Sequence, residues 1–66
     1  MYQVLNLRKV GTEQPQLFEL VLKDLENNTP GYFQTTKFGT EPQLREVLTE
    51  GGIEETEINN LFAEAI

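Results

Sequence analysis

The segment Leu17–Leu25 constrains the fold of this chain more than any other. Phe18, Leu20 and Leu22 recur at period two, while Leu17, Glu19, Val21, Lys23 and Leu25 take the alternate positions. A strand places successive side chains on opposite faces, so this pattern reads as a strand with one strongly apolar face. A second segment, residues 2–10, is rich in Val, Leu and Tyr and contains no breaker. Both segments are nine residues long, and six polar residues with Gly11 and Pro15 join them. Matched strands across a short turn-forming connection predict an antiparallel hairpin. Strict alternation in the first segment puts Leu5 and Leu7 on one face and Tyr2, Val4 and Val10 on the other. Leu5 and Leu7 are therefore expected beside Phe18, Leu20 and Leu22, and Val4 on the opposite side of the sheet.

Pro30-Gly31 suits the central positions of a type II turn, since Pro presets φ and Gly accepts positive φ. Tyr32 to Phe38, with its aromatics and threonines, then reads as a third strand. Beyond it the period changes. Thr40 and Gln43 have capping-box spacing, and Pro42 falls in the first turn, where its missing N–H costs nothing. Leu44, Val47 and Leu48 form a helical stripe that Gly51-Gly52 ends. A second helix is expected from about Glu54, with Ile58, Leu61, Phe62 and Ala65 on one face and an Ile53/Ile58 staple at its start. The fold class is α+β: a three-stranded antiparallel β-meander followed by two amphipathic helices packed on one face (β-β-β-α-α), one domain spanning residues 1–66.

Such a domain has a thin core. The chain has 66 residues, and a domain of that size buries only about 60% of the surface its unfolded chain exposes. It contains no Cys and no His. Disulfides, thiolate metal sites and imidazole ligation are thereby excluded, leaving packing and association as the sources of stability. A Cys-free chain with no basic leader and no apolar run near the roughly 18 residues of a membrane span is expected to be cytoplasmic and free of the membrane.

Catalysis finds little to work with. Of the Ser, Thr, Cys and Lys nucleophiles that a positioned base activates, only Thr and Lys are present, and His is absent as the base. Thr35-Thr36-Lys37 is the one such cluster, and a solvent-facing strand accounts for it. Gly51-Gly52 follows no strand and has no neighbouring Lys, unlike a phosphate loop. Glu54, Glu55 and Glu57 suit the positive end of a helix dipole, and adjacent helical residues diverge too widely to hold calcium. A chain this short can hardly enclose a reaction pocket of about 300–1,000 Å³ once its own core is filled. No catalytic, metal or cofactor residue is nominated, and the protein is expected not to be an enzyme.

Charge and apolar surface then suggest three binding roles. Net charge is −6, and it is uneven. Residues 1–33 hold three bases against four acids, and residues 34–66 hold two against seven. Helices on one side leave the other side of the sheet open, where Tyr2, Val4, Leu17, Val21, Tyr32 and Phe38 are expected to contact a protein partner, a second copy of the chain included. This makes the chain a small non-catalytic interaction module or accessory subunit. Alternatively, the acidic helices dock on a basic partner surface in the manner of phosphate. A weak single-stranded nucleic-acid role would use Tyr2, Tyr32, Phe33 and Phe38 for stacking and Arg8, Lys9, Lys23 and Lys37 as a rail. Duplex reading is disfavoured, because residues 54–66 carry four glutamates and no base.

Overall fold

Tyr2–Val10 forms strand β1, Leu17–Asp24 forms β2 and Gln34–Thr40 forms β3, in a computed structural model that describes residues 1–25 and 34–66. Helix α1 follows at Glu41–Glu50 and α2 at Glu55–Glu64. The sheet is antiparallel in the order β1-β2-β3, so the β-β-β-α-α arrangement is the one the periodicities predict. The Pro30-Gly31 turn, Tyr32 and Phe33 lie outside the described residues.

The β1–β2 turn carries Gly11 at φ +74°, a conformation that favours glycine, and Gln14–Pro15 is cis. The Gln16 amide fastens this turn by donating to the carbonyls of Val10, Gly11 and Leu17 at 2.9–3.1 Å. At the same end of the sheet β3 runs directly into α1. Gln43 Oε1 accepts the Thr40 backbone N–H at 2.9 Å, the reach-back half of the capping box.

Helix α1 stops in a Schellman motif. Ile53 N–H donates to Leu48 O and Gly52 N–H to Thr49 O, at 3.0 and 3.1 Å, with Gly52 at φ +86°. Four residues, Gly51 to Glu54, then lead into α2, which packs against the same core. Ile53 and Ile58 flank the α2 N-cap, Glu54, and both join the core cluster.

The core is a single layer between sheet and helices. Leu20, Leu22, Leu44 and Leu48 are wholly enclosed, and Leu7, Phe18, Ile58 and Phe62 complete the buried set. Phe18 and Phe62 meet edge to face, ring centroids 5.1 Å apart. Tyr2, Val4, Val47, Ile53, Leu61 and Ala65 pack around this cluster.

Two expectations are corrected in β1. Val4 pairs with Leu22 but Asn6 pairs with Val21, so Leu5 is an extra residue, a β-bulge. The bulge shifts the side-chain alternation by one. Tyr2 and Val4, expected on the open face, belong to the helix side together with Leu7, and Leu5, expected in the core, is 42% exposed. The step from Val4 to Leu7 is three residues instead of two, which is the mark a bulge leaves on an apolar pattern.

Arg45 ties the two helices together. Its Nε donates to Glu41 Oε2 and its Nη1 to Asn59 Oδ1, both at 2.8 Å, and its guanidinium lies 5.0 Å from the Phe62 ring centre. Arg45→Ala is expected to lower the unfolding free energy by about 1–2 kcal/mol, through lost ring packing as much as lost charge. Arg45→Lys should recover less than half of that, because an ammonium cannot reproduce the planar fork. Urea denaturation of the three proteins checks this.

Candidate interaction surface

The register puts four rows of side chains on the sheet face away from the helices. Along the strands these are Gln3–Lys23–Gln34, Asn6–Val21–Thr36, Arg8–Glu19–Phe38 and Val10–Leu17–Thr40. Partners in an antiparallel pair project to the same face, so each row is a line of neighbours across the sheet. No helix among the described residues covers these rows.

Apolar surface gathers at one end of the face. Phe38 is 65% exposed and Leu17 36%, while Val10 and Val21 are half-buried by their neighbours. Phe38 sits opposite Glu19, diagonal to Leu17. Beside it Arg8 grips Glu19 with a two-pronged contact, Nε to Oε1 at 3.0 Å and Nη2 to Oε2 at 3.1 Å. That hydrogen bond, and then the carboxylate's charge, raise the Arg8 guanidinium above its ordinary value. A raised value on a base means its contribution holds at all lower pH and fades only as pH climbs through the folded-state value. On the arginine side the pair is therefore constant across the working range.

Of the six residues expected to make contacts, this face brings together Leu17, Val21 and Phe38. Tyr2 and Val4 are turned toward the helices, and Tyr32 lies outside the described residues. Val10 was overlooked, although its pairing with Leu17 follows from the hairpin register alone. The stacking set is likewise divided: Tyr2 is on the helix side, and Lys9, paired with Phe18, projects to that side too.

A concavity lies beside the outer edge of β1. It has a volume of about 220 Å³ and is lined by Val4, Leu5, Asn6, Leu7, Leu61 and Glu64. Glu64 is the one ionisable group in that lining. Among the described residues, no three carboxylates gather into a metal-ligating cluster, and no helix is long and apolar enough to cross a membrane.

The charges segregate by layer. Residues 41–66 hold seven acids and one base, a net −6. The strands and the turn between β1 and β2, residues 1–25 with 34–40, hold four bases and three acids, a net +1. The helical layer thus carries the whole excess of negative charge.

The fold defines a small two-layer α+β domain with helices on a single face. No protein-family model matches this chain, and no curated protein or solved structure matches it.

Proposed function

We propose that this protein is a non-catalytic interaction module that docks a protein partner through the open face of its sheet. The observation that carries this reading is Phe38. An aromatic ring two-thirds exposed on the outer strand of the sheet, diagonal to Leu17 and Val21, has a large surface to bury, and no element among the described residues buries it. Aromatic residues in such settings concentrate at interfaces, where a rigid ring gives much contact area for little lost freedom. Arg8 and Glu19 neutralise each other beside the ring and add a polar edge that can orient a partner. The partner surface that fits is flat and apolar with a polar rim.

The charge layering favours a second reading, in which the −6 helical layer docks on a basic surface. Salt and two variants separate the two. Phe38→Thr keeps strand propensity and removes the ring; Glu55→Lys with Glu57→Lys reverses the start of α2. Under the first reading, proteins retained from extract of the native cells by the wild type are lost by Phe38→Thr, kept by the lysine variant, and indifferent to salt. Retention that survives Phe38→Thr but collapses with salt and with the lysine variant sinks the first reading and supports the second.

A further inference from the structure

The two edges of the sheet are unlike. On the outer edge of β1, Tyr2 N–H donates to Gly51 O and Lys9 N–H to Ile66 O, each at 3.0 Å, and the Leu5 bulge breaks the repeat between them. The chain ties down both ends of this edge with its own backbone, as natural sheets do to discourage strand addition. Nothing comparable covers β3 among the described residues.

The alternation of the ladder shows which β3 groups point outward. Both polar groups of a residue in an antiparallel sheet face the same side, and successive residues alternate. Tyr2 N–H faces outward, so Gln3 faces β2. Gln3 pairs with Lys23 and Lys23 with Gln34. Lys23 therefore faces β1, and Gln34, Thr36 and Phe38 turn their N–H and C=O groups away from the sheet. The Thr40 N–H, donated to Gln43 instead of to β2, fits the same phase.

We propose that a second copy of this chain adds its β3 antiparallel to this edge across a two-fold axis, joining two three-stranded sheets into one. Only an extended backbone satisfies three alternating donor–acceptor pairs at once, and the edge is complementary to itself. With the axis beside Thr36, Thr36 pairs with its copy, Gln34 with Phe38 and Thr35 with Lys37, so every outward group is used. An axis at Lys37 sets two ammonium groups against each other, and one at Phe38 calls on the Thr40 N–H that Gln43 already holds. Gln34–Thr40 contains no carboxylate, whereas contact through the helices opposes two −6 layers. Oligomerisation is also a standard source of stability for domains this small. This inference rests on the edge and not on the open face, so the two stand or fall separately.

Sedimentation from about 10 μM to about 1 mM at moderate salt, with amide hydrogen exchange on the same samples, tests it. A dimer is expected, with the Gln34, Thr36 and Phe38 amides more protected as concentration rises. Thr36→Pro removes an outward N–H that the monomer does not use, and should weaken the dimer about tenfold or more at an edge position that tolerates proline. Thr36→Lys leaves the backbone intact and places two charges across the axis; it should weaken the dimer too, and it decides the matter if the proline variant does not fold. Phe38→Thr should leave the dimer in place. A wild type that stays monomeric at about 1 mM, a dimer whose three amides gain no protection, or a dimer indifferent to Thr36→Lys overturns the proposal.

Discussion

Leu7→Ala is expected to destabilise this protein by about 2–4 kcal/mol, and Leu5→Ala, two residues away, to cost less than about 1 kcal/mol. Leu7 is 8% exposed and stands opposite Leu20, which is sealed from solvent. Removing its side chain deletes apolar contact and leaves a void that the rigid sheet cannot close. Leu5 occupies the bulge and is already half in solvent, so alanine there loses little burial. Total stability for a chain of this length is about 3–10 kcal/mol on a per-residue scale, so the Leu7 change removes a large share of it. Equilibrium urea denaturation gives both values. Equal costs at the two positions would place Leu5 in the core and deny the bulge.

Gly51→Ala is expected to cost about 1–3 kcal/mol, and the cost should vanish when Tyr2 is also replaced by alanine. Gly51 is buried and has φ −78°, which any residue adopts. Its demand for glycine comes from a neighbour: an added Cβ would overlap Cδ2 of Tyr2, with Cγ and Cβ of that residue 3.3 and 3.4 Å away. The Tyr2 backbone N–H donates to Gly51 O at 3.0 Å, which keeps Tyr2 Cβ close to the added methyl, so relief requires the ring to leave its packed rotamer. In a Tyr2→Ala background the clash is gone, and alanine at a helix-compatible φ should be neutral or slightly stabilising through the unfolded state. Gly52→Ala behaves differently, since φ +86° strains any side chain in either background. A double-mutant cycle by denaturation reads the coupling. Additive costs for Tyr2 and Gly51 would mean the two do not touch.

Both glycines were legible as the end of α1, yet only one of them is there for that reason. A Gly-Gly pair after an apolar helical stripe announces a helix stop through local conformational preference, and Gly52 supplies it. Gly51 is required by a residue 49 positions earlier in the chain, a contact that no local pattern contains. The same division runs through the sheet. Phe18, Leu20 and Leu22 are evident as the core of β2 because period two on a regular strand translates directly into one face. In β1 the rule misplaces Tyr2, Val4 and Leu5, because one extra residue inverts every assignment on one side of it.

What the amino-acid order determined by itself is the set of elements, their sequence along the chain, the helix caps and the apolar stripes. Each of these depends on interactions spanning a few residues, where backbone preference and side-chain period suffice. Which side of β1 meets the helices and which sheet edge the chain ties down with its own carbonyls were decided by the tertiary structure. These follow from where distant segments come to rest: Gly51 and Ile66 against β1, and two acidic helices stacked on the same face. Packing sets those positions through many weak contacts made at once, and no single stretch of sequence carries their sum.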